Sequence, residues 1–339
     1  MEGKNEISEV CIMTKTWEQL SAIQPIGVKM LMNSIAKERI SHAYLLEGGK
    51  GTGKFATAIQ MAKSFLCSQR NGVEPCHVCT NCKRIDSGNH PNLHIVKPDG
   101  LSIKKQQIHD LQEEFSKTGL EANKKVYVIE HADRMTANAA NTLLKFLEEP
   151  SSDTTAILLT EQSHQILNTI LSRCQVVTFR PLPTESLIRR LQDEGVTTSL
   201  STLAAQLTNS FDEALALCSD EWFAQARALV IKLCEALEKD KASIFFVQEK
   251  WGKHFGEKEQ LQQGLDMLLL IYKDLLYVQL GEEDRLVFHE QKEMFESFSY
   301  AQKRIVSALF NILEAKNRIN ANVNAQLVFE QLVLRLQEG

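Results

Sequence analysis

Gly48-Gly49-Lys50-Gly51-Thr52-Gly53-Lys54-Phe55 is the stretch on which the reading of this chain turns. The apolar run Ala43-Tyr44-Leu45-Leu46 before it reads as a buried strand, and Ala56 to Phe65 behind it reads as a helix. A glycine-rich turn between strand and helix lets backbone N–H groups close around a phosphate at the helix N-terminus. The phosphate-loop pattern G-x-x-x-x-G-K-[S/T] is met by Gly48, Gly53 and Lys54, with Gly51 inside the loop, and fails at Phe55. That last position normally supplies the hydroxyl that ligates Mg²⁺, and an aromatic ring has none. Strand, loop, lysine and helix stand in the order a nucleotide site requires, but the metal-ligating group is gone.

Working outward, the same alternation recurs. Val28 to Ile40 carries Val28, Leu31, Met32 and Ile35 at helical spacing ahead of the first strand. Leu93-His94-Ile95-Val96 reads as a short strand, turned by Pro98-Asp99-Gly100. Ser102 is expected to cap a helix whose apolar side is Ile103, Ile108, Leu111 and Phe115. Its first turn carries Lys104 and Lys105, which read either as a solvated face or as contacts to a nucleic-acid backbone. Lys125 to Ile129 begins a further buried strand that runs into Glu130-His131-Ala132-Asp133. In nucleotide-hydrolysing folds this strand ends in an acid for Mg²⁺, followed by a glutamate that polarises the attacking water. Glu130 keeps the first charge; His131 is a poor replacement for the second. Asn138 to Glu149 is a helix stopped by Pro150, Thr155 to Thr160 a strand ending on a hydroxyl, and Val176 to Phe179 the last strand. Strands alternating with helices over residues 43–179 predict an α/β domain: a parallel sheet with helices on both faces.

Cysteine usage adds a second feature. Four of the eight cysteines, Cys67, Cys76, Cys79 and Cys82, fall in the spacing C-x8-C-x2-C-x2-C. Two overlapping C-x2-C steps fold one sulfur-rich knuckle, which Cys67 enters from the preceding helix. Four thiolates suit a tetrahedral, structural Zn²⁺ with no open position for water; His77 can in principle replace one ligand, but Cys76 beside it completes the set. A net charge of −5 argues against coating nucleic acid by bulk electrostatics. The lack of any apolar run near the ~20 residues that span a bilayer, and of a signal-peptide core, predicts a cytoplasmic protein.

All seven prolines lie at or before Pro183. Arg180-Pro181-Leu182-Pro183 therefore reads as a hinge, and segments such as Leu261 to Leu280 and Gln302 to Leu313 carry helical spacing beyond it. The expected layout is an N-terminal tail over 1–16, an α/β domain over 17–182 with the knuckle at 67–82, a small helical domain over 183–218 and a larger helical domain over 219–339. Residues 1–12 are polar and without period, and are expected to be an extension ahead of a start at Met13.

The order GGKGTGK, the four-cysteine spacing, NAANTLLKFLEEP and TILSRC resembles the bacterial sliding-clamp loader subunits of the AAA+ family. Ser41-His42-Ala43-Tyr44, Gly88-Asn89-His90-Pro91 and Leu101-Ser102-Ile103-Lys104 fit the same group. The resemblance covers about Trp17 to Pro183 by motif and the remainder by layout. It implies an AAA+ domain, a helical lid at 183–218 and a helical collar at 219–339 that joins a ring of five subunits. Of the relatives with a zinc knuckle, motor subunits need a Ser or Thr where Phe55 stands, an acid pair where Glu130-His131 stands, and a lid arginine where Asp212 stands. These three departures imply a member without ATPase activity of its own, within a DNA-directed DNA polymerase (nucleotidyltransferase) assembly. Retention of ATP or ADP by Gly48, Gly51, Gly53 and Lys54 is left open. Arg173, taken alone, is an ordinary surface arginine; within TILSRC the resemblance makes it a finger that acts in trans on the neighbouring subunit's ATP. The implied partners are the delta and gamma/tau subunits of a heteropentameric ring and, through it, the sliding clamp and primer-template DNA. Two other readings remain: an active ATPase motor subunit, which would hydrolyse ATP in a Lys54-dependent way, and a zinc-stabilised DNA-binding protein outside replication, which would bind DNA alone with a steep salt dependence.

Overall fold

The structure, a computed structural model, describes residues 15–117, 124–148, 154–239, 247–321 and 323–338. The expected extension over residues 1–12, the start at Met13, the apolar side chain of Phe115 and the helix stop at Glu149-Pro150 lie outside what is described. The chain divides into two compact units, Met1–Leu182 and Pro183–Gly339.

The first unit is built on five parallel strands: β1 Ala43–Glu47, β2 Leu93–Val96, β3 Lys125–Ile129, β4 Thr154–Thr160 and β5 Gln175–Thr178. Their order across the sheet is β2-β3-β4-β1-β5, so β1, which carries the glycine loop, lies between β4 and β5. Successive side chains of a strand point to opposite faces. Tyr44 and Leu46, Val126 and Val128, and Ile157 and Leu159 accordingly pack into one core, while Ala43 and Leu45, Tyr127 and Ile129, and Ala156 and Leu158 pack into another. Strands buried on both faces read as continuous apolar runs, which is what the sequence shows. Four helices cover the first face: α1 Trp17–Ile23, α2 Pro25–Ala36, α3 Lys54–Leu66 and α4 Thr80–Asp86. Three cover the second: α5 Lys105–Lys117, α6 Ala137–Glu148 and α7 Asn168–Leu171. The parallel α/β sandwich expected over residues 43–179 is present.

Local details depart from the sequence reading in three places. The α1 helix is additional; Thr16 caps it reciprocally with Gln19, and Trp17 is buried with its indole N–H on Ser64 Oγ at 3.0 Å and Val73 O at 3.1 Å. The α2 helix ends at Ala36 rather than Ile40, because Glu38 takes a left-handed φ of 53° and turns the chain out of the helix. Ser102 does not cap α5. It bridges to Asp99, Ile103 pairs with Met135, and the helix begins at Lys105 after Gln107 Oε1 accepts from Lys104 N–H at 3.0 Å.

The described residues of the second unit form helices joined by turns, with no strand among them. Its principal helices are α8 Thr184–Asp193, α9 Thr198–Leu207, α10 Phe211–Ser219, α11 Glu221–Lys239, α12 Lys258–Leu280, α13 Gln302–Asn320 and α14 Ala325–Glu338. One apolar core runs through them from Leu187 to Leu336. Asp274 of α12 is wholly buried in it, accepting backbone N–H from Val287 and Phe288 at 2.9 and 2.7 Å. No helix among the described residues is long and apolar enough to cross a membrane.

Candidate functional site

The glycine loop leaves β1 at Glu47 and enters α3 at Lys54. Gly48 N–H donates to Thr160 O at 3.1 Å, tying the loop to β4. A Cβ at Gly48 would stand 2.3 Å from Phe179 O, so only glycine fits between the loop and the chain leaving β5. Gly51 and Gly53 take φ of 77° and 88°, left-handed values that glycine adopts without steric cost. Gln24, buried between α1 and α2, fastens the far side: its Nε2 donates to Thr52 O at 3.2 Å and Arg180 O at 2.6 Å, and its Oε1 accepts from Arg180 N–H at 3.0 Å. The strand–loop–helix conformation of a phosphate loop is therefore built and braced.

Lys54 lies over this loop. Its Nζ donates to Gly48 O at 2.6 Å and Gly49 O at 2.7 Å. Burial lowers its pKa, and Glu161 and Asp133 act against that. Asp133 also joins two strand ends, its Oδ1 accepting from Thr160 Oγ1 at 2.7 Å and Glu161 N–H at 3.2 Å.

A protein cation lies beside Phe55 and Glu130. Lys97, just past β2, places Nζ 3.1 Å from Glu130 Oε1 and 5.4 Å from the centre of the Phe55 ring. The ammonium thus stands between the two residues whose counterparts in a hydrolysing site would face Mg²⁺. Only 19% of the Glu130 side chain is exposed, so this pairing is made in a partly desolvated place, where a bare carboxylate would be costly. His131 follows with φ of 50° at the head of a short 3₁₀ turn, Ala132–Arg134. No feature of the sequence announces Lys97; it reaches Glu130 because β2 and β3 pair side by side, with Val96 opposite Ile129.

The four cysteines converge. The sulfurs of Cys67, Cys76, Cys79 and Cys82 all lie within 4.8 Å of one another. Cys67 and Cys76 are 3.5 Å apart, and Cys67 and Cys79 are 3.9 Å apart. Four ligands at the usual Zn–S length of about 2.3 Å, set tetrahedrally, stand about 3.8 Å from each other, so the cluster fits that ion. Backbone N–H groups face the sulfurs: Cys76 N–H to Cys67 at 3.3 Å, Cys79 N–H to Cys76 at 3.3 Å and Cys82 N–H to Cys79 at 3.5 Å. Burial raises the Cys79 thiol, but hydrogen bonds to it from Cys82 and Ser68 outweigh this and bring the group down to about 5. Burial pushes the Cys82 thiol up. His77 turns away from the sulfurs to Glu74 Oε1 at 3.2 Å. The knuckle is fastened to α3 by Asn81 Nδ2 on Leu66 O at 2.8 Å and by Lys63, whose buried Nζ stands 2.5 Å from Asp86.

Arg173 forms a separate group at the end of α7. Its guanidinium donates to Thr169 O at 2.9 Å and to Glu148 Oε1, at the end of α6, at 2.8 Å. About a third of the side chain remains exposed. Asp212 stands in the first turn of α10 in the second unit, beside Phe211, whose ring takes the Arg190 guanidinium at 4.4 Å. Lys104 pairs with Asp99 at 2.6 Å, and Lys105 is exposed.

Residues 23–183 match the family model described as DNA polymerase III, delta subunit, and residues 221–338 match DNA polymerase III, delta subunit, C terminal. The chain is 51% identical over 333 residues to the DNA polymerase III subunit delta' of Bacillus subtilis, spanning 96% of this chain and 100% of that protein. It is 27% identical over 343 residues to the DNA polymerase III subunit tau of the same organism, spanning 91% of this chain and 59% of tau. A solved gamma-subunit-related protein of Thermotoga maritima superposes with a TM-score of 0.49 at 18% identity, covering 91% of this chain and 99% of that one.

Proposed function

The chain belongs to the DNA polymerase III delta-prime family, and from that premise we propose that it is a clamp-loader subunit without ATPase activity of its own, presenting Arg173 to the ATP of a neighbouring motor subunit. The observation that carries the first half is Lys97 between Phe55 and Glu130. A Mg²⁺ site needs oxygen ligands. Here one flank is an aromatic ring and the other is a carboxylate already paired with an ammonium. The residue following that acid is His131, which lacks the carboxylate that polarises water in a hydrolysing site. Lys54 and the loop backbone retain the chemistry to hold phosphate, but the cation and the base that hydrolysis requires have been replaced.

The second half rests on exposure and position. An arginine finger has to leave its own subunit, and Arg173 is partly exposed at the end of α7 with donors to spare: a guanidinium has five N–H groups. Placed against a γ-phosphate it would stabilise charge that develops in phosphoryl transfer, an effect of ~10³–10⁵ in rate where such fingers act. In this reading Zn²⁺ is the ion held by Cys67, Cys76, Cys79 and Cys82. Bound there, it closes the knuckle as a structural element. The delta and gamma/tau subunits complete a heteropentameric ring in the bacterial cytoplasm that loads the sliding clamp onto primer-template DNA. Within the second unit, residues 183–218 serve as the lid and 219–339 as the collar.

The test uses the isolated chain and the reconstituted loader. The isolated chain is expected to show no ATP turnover above a Lys54→Ala control. In the loader, Arg173→Ala is expected to leave the ring assembled and to reduce DNA-stimulated ATP hydrolysis and clamp loading by orders of magnitude. Lys54-dependent turnover by the chain alone would instead establish the motor-subunit reading, and normal loading by Arg173→Ala would remove the finger.

A further inference from the structure

We infer that Glu148 is the positioning residue for Arg173: it holds the guanidinium at the end of α7 in the orientation from which it meets the neighbouring subunit's nucleotide. The inference rests on the proposed trans-acting role of Arg173 and adds a residue to it. The geometry is specific. Arg173, just past α7, is held at two points on different elements, by Thr169 O of α7 at 2.9 Å and by Glu148 Oε1 at the end of α6 at 2.8 Å. One contact alone leaves the side chain free to pivot about it; two contacts on separate elements fix the plane of the fork. A free arginine side chain samples many rotamers. A finger that arrives already oriented does not lose that freedom at the moment of reaction, and pre-orientation of this kind lowers the barrier.

The pair is not a stability device. Glu148 and Arg173 expose 49% and 34% of their side chains, and ion pairs so exposed contribute 0.2–1 kcal/mol at most. That range, converted at 1.4 kcal/mol per tenfold, corresponds to about 1.4- to fivefold in rate, which sets the size of the expected effect.

The experiment reads ATP hydrolysis by the reconstituted, DNA-stimulated loader carrying variants of this chain. Glu148→Ala is expected to lower kcat about 1.4- to fivefold with KM unchanged, because an oriented finger acts on the transition state rather than on ground-state binding. Glu148→Gln keeps an acceptor for the Arg173 N–H and is expected to recover most of the loss. The decisive arm is the double variant. If Glu148 works only through Arg173, then Glu148→Ala added to Arg173→Ala changes nothing further. A rise in kcat for Glu148→Ala would show that the carboxylate restrains the finger, and would overturn the inference. An unchanged kcat, or a further loss in the double variant, would do so too. Failure of the finger itself is read separately, as normal hydrolysis in Arg173→Ala alone.

Discussion

Gly48 shows how little latitude a single residue in this chain has. Its position is set from two sides, by Thr160 through the backbone and by Phe179, whose carbonyl oxygen would lie 2.3 Å from any Cβ. Gly48→Ala should therefore displace the loop or the start of the hinge and destabilise the first unit by about 1–3 kcal/mol, read as a lowered thermal midpoint. An unchanged midpoint would mean that the segment after β5 yields freely. Lys97 illustrates the opposite relation between residue and function. Phe55 and His131 are visible departures from an ATPase pattern, and each invites reversal by a single substitution. Lys97 is visible only in the fold, where its ammonium meets both Phe55 and Glu130, and on that contact the proposed absence of hydrolysis rests.

At the scale of elements, the knuckle and the α12 helix each depend on a buried polar arrangement. The knuckle is tied to α3 through Lys63–Asp86 and Asn81–Leu66, and its sulfurs are gathered by backbone N–H groups. Zn²⁺ held by the four thiolates, as proposed, would add its binding free energy to the folding of this element. Chelation of the metal from reduced protein is expected to open residues 67–86 to proteolysis while the second unit keeps its melting transition. Finding no zinc in the freshly purified protein would refute the assignment.

On α12, burial raises the Asp274 carboxyl to about 6, against the pull of the Phe288 and Val287 N–H groups and of His289 and Lys273. A folded-state pKa above the unfolded 3.8 means that the native state binds this proton more tightly. Its stabilising contribution is therefore full below pH 3.8 and is lost as the pH rises to about 6. Asp274→Asn should flatten the stability profile across that window relative to wild type. An identical slope in the two proteins would assign the pH dependence elsewhere.

For the whole molecule, charge decides what the chain can do alone. A net charge of −5 supplies little of the counterion release that drives binding to nucleic acid, and Lys104 is already paired with Asp99. The isolated chain should bind primer-template DNA weakly at physiological salt, and the assembled loader tightly. Tight, steeply salt-dependent binding by the chain alone would favour an independent DNA-binding role. The helical second unit has one continuous core from Leu187 to Leu336. Among the described residues, no break in this core marks the proposed division into lid and collar near residue 218.

The sequence by itself determined the alternation of strands and helices, the position of the phosphate loop and the four-cysteine cluster. Each of these is written in local chemistry: apolar runs that need burial on two faces, glycines that alone tolerate left-handed backbone, and thiols at ligand spacing. Phe55 and His131 were legible for the same reason, as wrong residues in a known order. The α1 helix was missed because its seven residues are too few for a periodic signal, and the expected cap at Ser102 failed because a bridge to Asp99 competes for the same turn. Only the tertiary structure decided what stands beside the loop and the finger. Strand order is not written in any segment, so the pairing of β2 with β3 that brings Lys97 to Glu130, and the approach of α6 and α7 that brings Glu148 to Arg173, arise when the sheet assembles. Those two contacts join residues 33 and 25 positions apart in the chain, and on them rest the proposals that the loop does not hydrolyse ATP and that Arg173 is held in one orientation.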